Sequence, residues 1–417
     1  MIVGVATEGT AAERRVALVP LSVRELSRAG LEVVVQRGSG LAAGYPDADY
    51  ESRGARLLAD AAEVASNADI LVCVGLDGLR VDVLRRGHIV IGLLDPLGSP
   101  ATMQELAAAG VTSFALELLP RIARAQSMDA LSSMATVAGY KAALLGAAEL
   151  GKMFPMMITA AGTLAPAKVL VIGAGVAGLG AIATARRLGA LVTGYDIRPD
   201  VREQVESLGA VFLELDLDTE DAEDEGGYAQ QMDEDFYRRQ RQMMAAAVAD
   251  NDVVITTAAV PGKRAPVLVT EDMVRGMAGG SVIVDLAAET GGNCELTRAG
   301  ETVEAHGVTI LGPVGVPATV AHHASQMYAK NITTFVTNLV KDGELALNLD
   351  DEIIKDTMVT HDGEVANERV REVLGAGAAV PPTQATDAGA APSPTRATDG
   401  GSVEPATEGS SDRCKSS

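Results

Sequence analysis

KVLVIGAGVAGLGAIATARRLGALVTGYD, Lys168 to Asp196, decides the fold. Val169 to Ile172 is a short apolar run of the kind that forms a buried parallel strand. Gly173, Gly175 and Gly178 give GxGxxG spacing, with Val176 and Ala177 inside it, and an Ala-rich helix is predicted to run on to Leu188. The first glycine permits a tight turn and the second lets the backbone approach a pyrophosphate. The third lets helix and strand pack closely, with the helix N-terminus facing the phosphates. Leu191 to Tyr195 reads as a second strand ending at Asp196, followed by Ile197 and Arg198. A carboxylate about 20 residues past the glycines accepts both hydroxyls of an adenosine ribose and repels a 2′-phosphate. A lone glycine motif arises by chance in an Ala/Gly-rich chain, whereas strand, glycines, helix, strand and terminal acid in order are specific. The stretch predicts dinucleotide binding, with NAD(H) preferred over NADP(H) and Arg198 as a nearby group suited to a phosphate.

Upstream, apolar runs at Ile2 to Ala6, Val33 to Val35, Ile70 to Val74, Ile89 to Leu93 and Val111 to Leu116 alternate with helical patterns such as Leu21 to Ala29 and Ala61 to Ala68. That is a doubly wound α/β unit. Ala130 to Leu150 reads as one long apolar helix, with Tyr140, Leu144 and Leu145 at its spacing, joining this unit to the next. Past Asp196, strands are predicted near Val211 to Leu213, Val253 to Thr257, Val282 to Leu286 and Val308 to Leu311, and a helix over His322 to Val340 returns to the first unit. Asp216 to Asp235 is an acidic insertion around Gly226, Gly227 and Tyr228, a long polar loop of the kind that is mobile or functional. The predicted architecture is α/β, two doubly wound parallel-sheet (Rossmann-like) domains with a nucleotide cleft between them. The first comprises 1–127 plus 322–374, and the second, the NAD(H)-binding one, 128–321. Residues 375–417 are Ala, Pro, Thr, Gly and Asp with few large apolar side chains, a composition that predicts a disordered acidic tail.

A second unusual stretch is RIARAQSMDALSS, Arg121 to Ser133, which places an arginine, a glutamine, a carboxylate and hydroxyls among Ala, Leu, Ile and Met. Gln126, Asp129 and Ser132 are spaced by three and share one face on a helical turn. The structural alternative is a helix N-terminus with Ser127 as N-cap and Asp129 in the first turn.

Composition narrows the partners. The net charge of −22 argues against nucleic acid, which demands a basic footprint. It matches chains adapted to high internal salt, where screening relieves repulsion among surface carboxylates. The expected result is a melting temperature that holds or rises toward molar KCl; a fall would remove this idea. Cys73, Cys294 and Cys414 form no CxxC, and His88, His306, His322, His323 and His361 make no zinc signature, so no metal is expected. Ile2 to Ala6 is too short for a signal peptide, and the uncharged run Val169 to Ala185 is explained by strand and helix, so no direct membrane insertion is expected.

Five segments together resemble the NAD(H)-binding component of proton-translocating nicotinamide nucleotide transhydrogenase, over roughly Met1 to Leu374: PRIARAQSMDALSS, MMITAAGTLAPAKVLVIGAGVAGL, REQVESLGA at Arg202 to Ala210, TTAAVPGKRAPVL at Thr256 to Leu268, and IVDLAAETGGNCE at Ile283 to Glu295. The resemblance implies that Arg121, Gln126, Asp129 and Ser132 form the polar loop that positions the nicotinamide and its ribose. It implies that Asp196 is the adenosine-ribose carboxylate and that Tyr228 belongs to a mobile loop closing over nucleotide. With Gly173, Gly175, Val176, Ala177, Gly178, Ile197, Arg198, Thr257, Ala258 and Leu286, these make up the expected cofactor-binding set. It further implies NADP(H) on a partner subunit, membrane-spanning partner subunits, a homodimer, and a cytoplasmic chain attached peripherally to the inner face of the cell membrane. No membrane helices follow Leu374, which points to the split-subunit form. Thr319 stands where relatives often carry arginine, and the mobile-loop region is more acidic than usual.

Two other readings use the same residues. Alanine dehydrogenase shares the fold, but that family carries a lysine near position 73 and a histidine near position 93, where this chain has Cys73 and Leu93. Arg15 suits both families. Imine reduction needs an acid–base group, whereas transfer between two nicotinamides needs chiefly positioning. A non-catalytic NADH-sensing module would keep Asp196 and the glycines without needing Arg121, Gln126 and Asp129.

Overall fold

Ile70–Val72, Ile89–Gly92 and Val253–Thr256 are buried at every residue, as expected of strands covered on both faces. In the computed structural model, which describes residues 1–78, 81–215, 234–259 and 264–378, they lie inside two large sheets. Met1–Gly377 form one compact unit. Among the described residues the first sheet has eight strands, in the order Glu364–Val365, Met358–His361, Thr112–Ala115, Ile89–Gly92, Ile70–Val72, Ile2–Val5, Glu32–Gln36 and Arg56–Leu58. The second has seven, in the order Val211–Phe212, Leu191–Tyr195, Lys168–Ile172, Val253–Thr256, Val282–Asp285, Val308–Leu311 and Thr302–Ala305.

Both sheets are parallel in their interiors, as the doubly wound reading predicts. Antiparallel strands occupy one edge of each: Met358–His361 with Glu364–Val365, and Thr302–Ala305. Thr302–Ala305 and Glu364–Val365 are short, with no fully buried residue, and so lack an apolar run for the eye to find. Each interior strand feeds two cores by simple alternation. Val33 and Val35 enter one core and Val34 the other; Val169 and Val171 part from Leu170 and Ile172 in the same way.

Three helices place the site. Val176–Arg187 follows the glycine loop, Ala130–Glu149 packs on it, and Ala321–Leu339 lies against the first sheet, where Phe335 meets Phe114 edge-on at 5.5 Å. The face that Ala130–Glu149 buries is not the predicted Tyr140–Leu144–Leu145 stripe: Tyr140 is 45% exposed. Ala130, Met134, Val137, Gly139, Ala142, Ala143 and Gly146 turn inward instead. Small residues are required because a Cβ on Gly139 would lie 1.9 Å from the Ala177 carbonyl oxygen. The helix Glu368–Ala378 carries the fold past the predicted start of the tail at 375. The remainder of that tail, the insertion up to residue 233, and Tyr228 with it, lie outside the described residues.

Candidate functional site

The second sheet ends its parallel strands along one edge, where the glycine loop, Asp196, Thr257 and Leu286 follow Ile172, Tyr195, Thr256 and Asp285. In open α/β sheets this carboxyl edge is where ligands bind. Gly173 has φ +94°, and a Cβ there would lie 2.6 Å from Thr257 Oγ1, which donates to the Gly173 carbonyl at 3.0 Å. A Cβ on Gly178 would meet that same carbonyl oxygen at 1.8 Å. Gly175 differs: a Cβ there would find only Arg198 Nη2, at 3.9 Å. The first and third glycines are thus closed against protein while the second faces open space. Gly175 is also the N-cap of Val176–Arg187, with no side-chain cap, so the N–H groups of that first turn, Val176 and Ala177 included, are those an anion would take. The loop fits a dinucleotide pyrophosphate.

Asp196 sits where the sequence places it, but its carboxylate is already engaged. Oδ1 accepts Arg198 N–H and Arg198 Nε, both at 2.9 Å. Oδ2 accepts Ala174 N–H at 2.7 Å and Arg198 Nη2 at 3.0 Å. Ile197 is half-buried against the core beneath. Next along the edge, the Leu286 N–H donates to Thr256 O at 2.9 Å. Ala258 is clamped by Asn293, whose Oδ1 accepts its N–H at 3.0 Å and whose Nδ2 donates to its carbonyl at 2.8 Å. Asn293 is held in turn by Asp285, fully buried, which accepts from Thr256 Oγ1, Thr297 Oγ1 and the N–H groups of Ala287, Asn293 and Cys294. Asp285 and Asn293 are missing from the sequence-based set. The signal was a carboxylate ending an otherwise apolar strand.

The second predicted group also converges. Pro120, Arg121, Ile122, Ala125, Gln126, Asp129 and Ser132 line one hollow of about 240 Å³. They meet there by a different route from a shared helical face. Ala123–Met128 is a 3₁₀ turn, and Asp129, in extended conformation, caps the helix Ala130–Glu149. Its Oδ1 accepts Ser132 N–H at 2.8 Å and its Oδ2 accepts Ser132 Oγ at 2.5 Å. Ser127 is therefore not the N-cap; it lies within the 3₁₀ turn, and its carbonyl accepts from Asn331 Nδ2 at 3.0 Å. A bidentate pair between Arg124 and Asp351, at 2.7 and 2.6 Å, pins the same turn from outside. Because the Asp129-capped helix packs on the glycine-motif helix through Gly139 and Ala177, hollow and glycine loop are mechanically joined.

At the carboxyl edge of the first sheet, Cys73 is buried and Leu93 half-buried against the core. Tyr328 Oη donates to the Cys73 carbonyl at 2.7 Å, and Arg15 is engaged bidentately by Glu13. Burial pushes the Cys73 thiol up, with Glu8 and Glu117 adding to it. Glu8 accepts the N–H groups of Val74 and Gly75, Glu117 that of Asp95, and burial pushes each carboxyl up to about 7. Folding favours the protonated acid, so this contribution to stability is full below the ordinary value of 4.5 and is lost as pH rises through about 7. Glu117→Gln is expected to match the parent near pH 5 and to exceed it at pH 8 by on the order of 2 kcal/mol. Urea midpoints at the two pH values measure this; equal differences at both would contradict it. Thr319 Oγ1 donates to Val316 O at 2.8 Å within a 3₁₀ turn, and His322 stacks on Tyr45 at 4.5 Å.

Comparison with known proteins agrees with this geometry. The sequence pattern for "Alanine dehydrogenase/PNT, N-terminal domain" matches residues 4–138, and that for the C-terminal domain matches 142–368. The chain belongs to the alanine dehydrogenase/PNT family. It is 44% identical over 378 residues to the first piece of the divided NAD(P) transhydrogenase subunit alpha of Rhodospirillum rubrum, covering 88% of this chain and 98% of that one. Alanine dehydrogenase of Mycobacterium tuberculosis is 32% identical over 392 residues, covering 91% and 99%. The crystal structure of transhydrogenase from Sinorhizobium meliloti superposes with a TM-score of 0.79 at 45% identity, covering 88% of this chain and all of that one. Within the family the chain is an oxidoreductase of the transhydrogenase alpha-subunit type.

Proposed function

We propose that this chain is the NAD(H)-binding catalytic component of a proton-translocating transhydrogenase, exchanging hydride between NAD(H) held here and NADP(H) held by a partner subunit. The observation that carries the reading is the hollow of Arg121, Gln126, Asp129 and Ser132, built on a helix packed directly against the glycine-motif helix. A bound nicotinamide supplies the hydride donor or acceptor carbon. The protein's role is positioning: two ring carbons must meet at short range in one orientation, and no proton moves at either. Gln126 and Asp129 are held for that task by the 3₁₀ turn, the Asn331 bond and the Arg124–Asp351 pair. The Cys73 and Leu93 positions offer no acid–base pair, which suits this reaction and not imine reduction.

The lobes 1–127 with 322–374 and 128–321 are proposed to flank the cleft in which the cofactor lies, with Tyr228 closing over it. Among the described residues no helix is long and apolar enough to cross a membrane. The reading assigns the membrane spans to partner subunits and attaches this chain to the inner face of the membrane through them. The Rhodospirillum rubrum relative is named as one piece of a divided alpha subunit, which supports such an arrangement.

A homodimer is supported by the hairpin Met157–Thr159 and Gly162–Leu164, every residue of which is exposed. Ile158 is 76% exposed, Leu164 51% and Met156 59%. An isolated two-stranded hairpin is marginal in water, and an apolar one calls for a partner surface. Ile158→Asp is expected to shift the protein from dimer to monomer in analytical ultracentrifugation; an unmoved sedimentation coefficient would place the dimer contact elsewhere.

The deciding experiment is reduction of an NAD⁺ analogue by NADPH, with and without the NADP(H)-binding partner. Turnover only with the partner supports the proposal. Tight NADH binding here and NADPH binding there without turnover would favour a sensor.

A further inference from the structure

An ionised carboxylate offers about four lone-pair sites, and at Asp196 all four are taken. Ala174 N–H and the Arg198 N–H hold one site on each oxygen, and the Arg198 guanidinium covers the remaining two through Nε at 2.9 Å and Nη2 at 3.0 Å. The pair is well shielded, with the Asp196 side chain 6% exposed and that of Arg198 13%. Nothing is left with which Asp196 accepts a ribose hydroxyl. A ribose diol therefore binds only if the guanidinium leaves. The two backbone bonds stay, so the carboxylate keeps its place when it does.

The guanidinium has a short way to go. Nη2 is already the nearest group to the open side of Gly175, 3.9 Å from where a Cβ would stand, and the Gly175 turn is the loop that fits a pyrophosphate. We propose that Arg198 is a gate and a selectivity residue. It covers the ribose carboxylate in the free protein and moves onto the nucleotide diphosphate when one arrives. Binding is then a double exchange, ribose hydroxyls for guanidinium on Asp196 and diphosphate for carboxylate on Arg198. A ligand that brings only one half meets a loss. Adenosine has the diol but offers the displaced guanidinium no anion. A 2′-phosphorylated nucleotide attracts Arg198 while leaving the Asp196 charge against its phosphate. The inference rests on reading this edge as an NAD(H) site and goes further by naming what opens it.

The test uses adenosine and ADP as probes, titrated by calorimetry against the full chain, the Arg198→Gln variant and the Arg198→Lys variant. In Arg198→Gln the carboxylate is uncovered and the diphosphate contact is gone. Adenosine is expected to bind about tenfold more tightly than to the parent, and ADP about tenfold more weakly. Arg198→Lys, which keeps the charge without the two-pronged grip, is expected to gain for adenosine while holding ADP near the parent value. A parallel loss of both ligands in Arg198→Gln would overturn the proposal, since it would make Arg198 a fixed brace for Asp196. Unchanged adenosine binding would overturn it equally. Failure of the parent itself to bind ADP or NADH would instead remove the NAD(H) reading of the edge, and the proposal with it.

Discussion

Gln126→Leu and Asp129→Asn are each expected to slow hydride transfer by about 100-fold while changing NADH affinity by less than about threefold. The asymmetry follows from what the hollow is made of. Gln126 and Asp129 stand on a turn braced by Asn331 and by the Arg124–Asp351 pair, a costly arrangement for a surface merely required to be polar. Contacts that matter most when the two rings are aligned lower the rate of the chemical step, whereas the adenosine half of the cofactor is gripped elsewhere, at the glycine loop and Asp196. Asn is chosen at position 129 because it also caps helices well, so Ala130–Glu149 keeps its first turn. Single-turnover transfer measured beside equilibrium NADH titration separates the two effects. Matched losses in rate and affinity would show that the hollow holds the cofactor and does not align it.

Gly139→Ala is expected to cost more than about 3 kcal/mol and to abolish NADH binding with it. One methyl group would have to share space with the Ala177 carbonyl oxygen, 1.9 Å from the new Cβ, with the Ala177 carbon at 2.8 Å and its Cα at 3.0 Å. Backbone cannot yield as a side chain does, so the two helices must separate. One carries the glycine loop at its N-terminus and the other carries Asp129 at its own, so separation disturbs both halves of the site. Gly180→Ala, on the same contact, meets the Thr136 carbonyl oxygen at 3.4 Å and Gly139 Cα at 3.7 Å. It serves as the control and is expected to stay within about 1 kcal/mol of the parent. Denaturant unfolding followed by NADH titration of the folded fraction checks both; a Gly139→Ala protein as stable as the parent would mean the helix contact is looser than this structure has it.

The amino-acid sequence by itself determined the α/β class, the position of the glycine loop and the carboxylate at the end of the second strand. Each rests on spacing within some thirty residues, where strand and helix periods are set by local backbone geometry. It also singled out the right side chains in Arg121 to Ser133, though not their arrangement. Spacing by three suggested one helical face, whereas Asp129 caps the helix itself and Ser127 belongs to the turn before it. Only the tertiary structure decided the rest. The Gly139–Ala177 contact, the Tyr328 bond to the Cys73 carbonyl and the Asn331 bond to Ser127 join positions far apart in the chain, and no local period encodes them. The closure of Asp196 by Arg198 shows the limit at short range. Two residues apart in sequence, they read as independent groups for ribose and phosphate; the backbone turn that aims both side chains at one point makes them a single unit.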